Sequence, residues 1–492
     1  MSIPSPELSE RAPKRMKPEN ADTGCPALPP AADPRMPDFR HGLFLAPMVR
    51  IGSLPTRLLA LEYGADLVWS PEVVDRAIMG TERRVNAATG LVEYIKEEKQ
   101  IFSCHPVERS RLIYQVGSAT PEHAAEAVRI VTAHDDVAGV DLNCGCPKPF
   151  STLGGMGANL LTAPDLLCAI LTAMRAAAPP HVSVTAKIRL LPTQEETLAL
   201  VERIVRTRTI RALTVHCRTK NMRPREPALL DRLRAIVEHV DQVAAETGQD
   251  VPVVCNGDCF SIADVERIKA LTGVSSLMLA RGPEANPSCF RVDRACVATE
   301  VAPKWLRYAA YFDNPFGNTK YCMTQLAFNT TASLGGTERV SKLPKRELVE
   351  MRSVLSHSRN LEDVARALRV DWPVTSAADL VHLVQQTVEG VKEQAAAATA
   401  ASVRAEEREA AKVRAADAES GAQEAADAQT GTAGAPSSDA SEKGLDAQEG
   451  AVRAQQESRR DEAGPTGAEA GASAQITTTS EGDDRRGGSR ST

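Results

Sequence analysis

The stretch VSVTAKIRLLPTQEETLALVERIVRTRTIRALTVH, Val182–His216, decides the fold. Val182–Ile188 is a short apolar run of strand type, Glu195–Val205 carries its apolar residues at helical spacing, and Leu213–His216 is a second strand run. Strand, crossover helix and strand make one parallel unit. The alternation continues in both directions. Upstream lie a strand at Leu43–Ala46, a helix at Leu54–Tyr63, a strand at Leu112–Val116, a helix opened by Thr120-Pro121, a strand at Gly139–Leu142 and a helix at Asp165–Met174. Downstream follow a helix near Ala228–Ala245, a strand at Val253–Cys255, a helix at Ile262–Leu271 and a strand at Ser276–Ala280. Leu91–Ile95 and Ile101–His105 read as an inserted hairpin. About eight strand signals in roughly 250 residues favour a closed (β/α)8 TIM barrel over an open doubly wound sheet. The first strand is followed by Ala46-Pro47-Met48-Val49 rather than G-x-G-x-x-G, which weakens the Rossmann alternative.

After Ala302 the pattern is wholly helical, through Trp305–Phe312, Thr319–Phe328, Arg346–Ser356, Leu361–Leu368 and Ala377–Val391. The expected organisation is therefore α/β: a barrel over 41–300, a separate helical domain over 301–392, and disordered segments at 1–40 and 393–492. Aromatic residues make up only 4% of the 492, and none follows Trp372. A tail of Ala, Glu, Gln, Gly and Ser buries too little apolar surface to offset its ordering entropy, though Ala395–Ala415 has passing helical character. Residues 401–492 hold 11 Lys/Arg against 18 Asp/Glu, which leaves 47 against 46 in residues 1–400. Residues 301–372 carry 11 basic and 7 acidic side chains, an excess that suits a polyanion-facing surface and equally a solvated helical face.

The 11 cysteines form no paired C-x-x-C set, so no zinc site, other metal site or disulfide framework is expected. Free thiols indicate a reducing compartment. No apolar run reaches the roughly 20 residues of a spanning helix, and no signal-peptide pattern opens the chain. These features lead to the expectation of a soluble, cytoplasmic monomer. A basic cluster at Lys14, Arg15 and Lys17 is of a kind that can address a nucleus, although short basic runs are usually only solvated.

In a TIM barrel, chemistry sits where strands end at the carboxyl face. Those positions here read Pro47-Met48, Gln115, Asn143 with Cys146, Lys187, His216-Cys217-Arg218, Asn256-Gly257-Asp258 and Ala280-Arg281-Gly282. Singly, each is explained by the need for a strand to end; together they resemble a cofactor site. Gly257 and Gly282 follow the last two strands, where barrels commonly bind phosphate, and Arg281 adds charge. Lys187 suits a ring that becomes anionic on reduction, and Gln115 offers a donor and an acceptor to a heterocycle edge. A phosphate at one end and a reducible ring at the other indicate flavin mononucleotide (FMN). Cys146 lies in a loop with Gly154-Gly155-Met156-Gly157, a composition that suits a mobile segment over the mouth. Its thiol can serve as a general acid. It can also be an inert packing cysteine, or a thiolate nucleophile favoured by nearby Lys148.

Leu45-Ala46-Pro47-Met48-Val49-Arg50, Gly145-Cys146-Pro147-Lys148, Gly154-Gly155-Met156-Gly157, Lys187-Ile188-Arg189, Val215-His216, Asn256-Gly257-Asp258, Ala280-Arg281 and Asn318-Thr319-Lys320-Tyr321 resemble the tRNA-dihydrouridine synthases. Within that family the pattern is most similar to the eukaryotic class acting on uridine at position twenty of cytoplasmic tRNA. The resemblance runs from about Leu43 to Leu326. It implies that Cys146 donates a proton to C5 of uracil while hydride reaches C6 from reduced FMN, itself reduced by NADPH or, less often, NADH. It implies flavin contacts from Pro47, Met48, Gln115, Lys187 and His216, with Asn256, Gly257, Asp258, Ala280 and Arg281 at the phosphate end. It further implies that Asn143, Lys148, Arg218 and Lys320 contact substrate, and that the helical domain docks tRNA. Three departures stand out. Cys144 replaces a frequent Met, with an effect expected on packing alone. Cys217 replaces a frequent Gly, which bears on how closely the backbone approaches the flavin phosphate. The stretch after Val391 lacks the pattern of the double-stranded-RNA-binding domain that animal members append. The competing functions are a flavin barrel reducing a free pyrimidine or enone, and a non-catalytic RNA-binding scaffold.

Overall fold

The computed structural model describes residues 35–326 and 345–390. The basic cluster at Lys14–Lys17, Phe328, Val391 and the expected tail, with the segment at Ala395–Ala415, lie outside the described residues. Eight parallel strands form the barrel: β1 (Leu43–Leu45), β2 (Leu67–Trp69), β3 (Leu112–Gly117), β4 (Gly139–Cys144), β5 (Ser183–Leu190), β6 (Ala212–Thr219), β7 (Val253–Asn256) and β8 (Ser276–Leu279). Each pairs with its sequence neighbour, and β1 pairs with β8, so the sheet closes on itself. The expected inserted hairpin is present and gains a third strand, Glu82–Val85, antiparallel to Val92–Lys96, which pairs with Lys99–Cys104.

Strand alternation divides the barrel into two cores. Outward residues such as Val140, Leu142 and Cys144 of β4, or Val184, Ala186 and Ile188 of β5, pack against the surrounding helices. Inward residues Phe44, Leu67, Trp69, Ile113, Ala212, Val254 and Met278 fill the lower interior, with Phe39 against Phe44 and Trp69. Phe39 falls in the stretch expected to be disordered, yet it is buried, and its carbonyl accepts the Ser276 hydroxyl at 2.8 Å. It closes the amino-terminal end of the barrel.

The helices between strands follow local signals. In the helix Gln194–Arg206, Thr193 Oγ1 accepts the Glu196 N–H at 3.2 Å and Glu196 Oε2 accepts the Thr193 N–H at 3.0 Å, while Leu200, Val201, Ile204 and Val205 face the sheet. After the barrel, α-helices at Ala302–Tyr311, Phe316–Gln325, Lys345–His357 and Leu361–Leu368 are followed by a helix over 378–390. This helical region meets the barrel at the helix Leu54–Glu62: Trp305 Nε1 donates to Thr56 Oγ1 at 2.9 Å and Lys304 pairs with Glu62. Among the described residues, no helix is long and apolar enough to cross a membrane.

The barrel and the hairpin are joined by a buried ion pair. Arg57 donates to both Glu108 oxygens at 2.8 Å and to the Gly52 and Ser103 carbonyls at 2.8 Å, and both side chains are within 2% of full burial. Arg57→Ala leaves the Glu108 charge buried and unpaired. We expect it to lower unfolding free energy by about 3–5 kcal/mol, whereas the double replacement Arg57→Met with Glu108→Leu recovers most of the loss. Urea unfolding midpoints of the two variants check this.

Candidate functional site

Above the apolar plug, the inward positions become polar. In register, Gln115 of β3 lies beside Asp141 of β4, Asn143 beside Lys187 of β5, and His216 of β6 beside Asn256 of β7. Asp141 accepts Gln115 Nε2 at 2.8 Å and Thr185 Oγ1 at 2.6 Å. Burial pushes its carboxyl up to about 6, against those two hydrogen bonds and the Lys187 charge. One Gln115 side-chain N–H is thereby committed below the mouth, and its side-chain oxygen and second N–H are left for a ligand edge. Burial, with Arg189 adding repulsion, brings the Lys187 ammonium down to about 8.

At the ends of β6, β7 and β8 lies a cavity of about 150 Å³. Arg189, Arg218 and Arg281 line it against the single carboxylate of Asp258. Asp258 Oδ1 accepts Arg218 at 2.5 Å and also Arg281, and Oδ2 accepts the Ala228 N–H at 2.6 Å. Asp258 thus aligns the cations, and positive charge remains for an anion. Asn256 Nδ2 is spent on the Met278 carbonyl at 2.8 Å, so this residue braces the cavity wall. Gly257 has φ +136°, and a Cβ there would come within 3.0 Å of the Ala228 Cβ. Only glycine leaves the backbone open at this turn. Cys217 faces outward into the core, 3.6 Å from where that Cβ would stand, and so sits behind the Gly257 turn. His216 is held well below its ordinary range by burial and then by Lys187, Arg189, Arg218 and Arg281.

Arg189 links this cavity to the loop that carries Cys146. Asn143 Oδ1 accepts the N–H groups of Gly145 and Cys146 at 2.9 and 3.0 Å, and Arg189 Nε donates to the Gly145 carbonyl at 2.7 Å. The loop is tied down again where Ala158 N–H meets the Cys146 carbonyl at 3.0 Å. The Cys146 thiol is raised by burial and further by Glu72, while the Lys148 N–H acts in the opposite sense. These surroundings favour a protonated thiol. Cys144, two residues earlier, is fully buried on the outer face and packs.

Pro47 and Met48 leave β1 half-buried at the mouth, Ala280 and Arg281 leave β8, and Lys148 is exposed on the rim. Two residues expected to touch substrate are also engaged within the protein. Arg218 is 3% exposed and belongs to the anion cavity. Lys320 sits in the helical region, where its ammonium donates to the Ser358 carbonyl at 2.9 Å. Its neighbour Asn318 ties that region to the barrel through the Arg50 carbonyl at 2.8 Å. Sequence reasoning missed Asp141, Arg189 and Glu72 as site residues. A charged residue at an inward position of an apolar strand was the available signal for the first two. A larger cavity of about 540 Å³ opens at the amino-terminal end of the strands, away from these groups. Among the described residues, no cluster of three or more His, Cys, Asp or Glu is placed to hold a metal ion.

Residues 44–363 match the family model described as dihydrouridine synthase (Dus). The chain belongs to the dihydrouridine synthase family. It is 42% identical over 350 residues to tRNA-dihydrouridine(20) synthase (NAD(P)+) of Schizosaccharomyces pombe, covering 70% of this chain and 68% of that protein. To the protein of the same name from Saccharomyces cerevisiae it is 39% identical over 312 residues, 59% of this chain and 78% of that one. A Saccharomyces cerevisiae tRNA-dihydrouridine(20a/20b) synthase (NAD(P)+) is 32% identical over 252 residues, 51% and 62% of the two chains. The family match runs from β1 through the barrel to the first turn of the helix Leu361–Leu368.

The His216 environment predicts a pH dependence. The folded protein resists a proton that the unfolded chain accepts below about pH 6.5, so stability is present above that pH and is lost as pH falls. This group alone is expected to contribute a slope of up to about 1.4 kcal/mol per pH unit below pH 6.5. Urea midpoints between pH 7.5 and 5.5 should flatten in His216→Asn; an unchanged slope would assign the acid sensitivity to other groups.

Proposed function

We propose that the protein reduces the 5,6 double bond of a D-loop uridine in tRNA, at position 20 as in the names of its two more similar relatives, using FMN and NADPH or NADH. The observation that carries this reading is the Cys146 loop, tied by Arg189 to a cavity lined with three guanidinium groups at one barrel mouth, in surroundings that favour the thiol over the thiolate.

The residues present fit FMN. Three guanidinium groups against one carboxylate, and the open backbone at Gly257, suit its phosphate. Lys187 and the Gln115 carbonyl, deeper in the mouth, suit its ring, with Pro47, Met48 and Ala280 as the apolar walls. When bound, FMN supplies the hydride that uracil C6 receives. Lys187, with a proton affinity reduced to about 8, can stabilise negative charge on a ring or on a uracil oxygen at neutral pH. His216 stays neutral and serves as a hydrogen-bonding partner. The Cys146 S–H bond breaks as its proton passes to C5, and the thiolate then recovers a proton from solvent.

The RNA is a polyanion, and exposed Lys148 on the rim with Arg346, Arg359 and Arg369 in the helical region offers it cationic surface. Lys320 supports that surface by joining two helices. NADPH-dependent formation of dihydrouridine on unmodified tRNA, compared with free uridine, tests the function. The purified protein should be yellow and act on tRNA. Cys146→Ala should keep its flavin and lose at least about 100-fold in turnover, the typical contribution of a positioned acid. A colourless preparation, equal rates on free uridine, or full activity in the variant would contradict the proposal.

A further inference from the structure

Glu72 follows β2, two residues beyond the Ser70 that caps the strand, and projects toward the Cys146 loop. Ser151 Oγ donates to its Oε1 at 3.0 Å. The carboxylate occupies space that a side chain at Gly117 would fill: a Cβ there would come within 2.5 Å of Oε1. Its other oxygen is buried and meets no donor with ordinary hydrogen-bond geometry. The Cys146 thiol and the Asn143 amide both stand close enough to alter its proton affinity, which burial raises. A buried acceptor without a donor is costly, and a thiol hydrogen is free to rotate toward it.

The cations near Cys146 make such a partner useful. Lys187 and Arg189 of β5 both sense the sulphur, and cations of this kind draw a cysteine toward its thiolate. Glu72 faces Cys146 from the end of β2, and Ser151 and the exposed Lys148 lie on the loop itself. We propose that Glu72 is a positioning residue for proton donation: its carboxylate accepts the Cys146 S–H, with Ser151 and Asn143 fixing it in place, and so keeps Cys146 a neutral, aimed acid. This rests on the reading of Cys146 as the proton donor. Once the S–H proton has passed to carbon, thiolate and carboxylate repel each other. A proton taken from water onto sulphur relieves that repulsion and restores the starting pair.

The test is the pH dependence of Cys146 alkylation by iodoacetamide in the intact flavoprotein, followed by the mass of the Cys146 peptide. Glu72→Gln should move the profile to lower pH by about one unit, so that alkylation at pH 7.5 is about tenfold faster. Ser151→Ala also removes a hydroxyl that favours the Cys146 thiolate, so it should not reproduce this shift and is expected to move the profile to higher pH. With tRNA, Glu72→Gln should lower kcat and leave KM unchanged. An unmoved profile, or one moved to higher pH, in a variant with unaltered melting temperature and flavin content would overturn the proposal. If Glu72→Gln fails to fold, Glu72→Asp, which draws the carboxylate back from the sulphur, should still move the profile to lower pH, and an unmoved profile there would overturn the proposal. Absence of dihydrouridine formation by the unaltered protein would instead sink the functional reading, while the thiol profile would still report on Glu72.

Discussion

Closing eight parallel strands into a ring leaves an interior wide enough only for side chains, and every second residue of each strand must enter it. This constraint organises the protein. At the amino-terminal end the interior is filled by Phe39, Phe44, Leu67 and Trp69, aromatic and apolar groups that need no partner. Toward the carboxyl end the same inward positions carry Gln115, Asp141, Asn143, Thr185, Lys187, His216 and Asn256. Polar groups in such a place require either one another or a ligand. Within this layer Asp141 is satisfied by Gln115 and Thr185, whereas the groups above it converge on a cavity and on the Cys146 loop.

Electrostatics then gives the mouth its chemical character. Burial, and then the charges of Lys187, Arg189, Arg218 and Arg281, keep His216 from readily taking a proton, while burial and then Arg189 make Lys187 give one up more readily. The one carboxylate among them, Asp258, is engaged by two guanidinium groups. A second carboxylate, Glu72, acts on Cys146 in the sense opposite to Lys187 and Arg189. Reductive chemistry needs both effects: positive charge where electrons arrive, and a thiol that still holds its proton where the proton leaves. The outer core of Val, Leu and Ile under the helices holds the strands in register and so fixes these spacings.

Much of this was legible in the residues. Seven of the eight strands, the crossover helices and the later helical run follow from periodicity, because one buried face imposes a regular pattern. The second strand, Leu67–Trp69, was missed: three residues between a helix and Pro71 are too few to show a period. Phe39 was assigned to a disordered segment since a lone aromatic among polar residues says nothing of the barrel floor it plugs. In the site, the strand-end rule identified Gln115, Lys187, His216, Gly257 and Arg281, whose places depend on local position. Roles set by distant neighbours were not legible. Arg218 pairs with Asp258, Lys320 is spent on Ser358, and Glu72 meets a loop 79 residues away at Ser151.

The central claim is that Cys146 acts as a neutral acid at this mouth rather than as a thiolate nucleophile. The most direct measurement is the single-turnover rate of uridine reduction in tRNA by pre-reduced enzyme, taken across pH 6 to 10. The account predicts a plateau through neutral pH and a fall at high pH, about tenfold per unit, as the proton donor is lost. A rate that instead rises with pH through the range where the thiol ionises would contradict it.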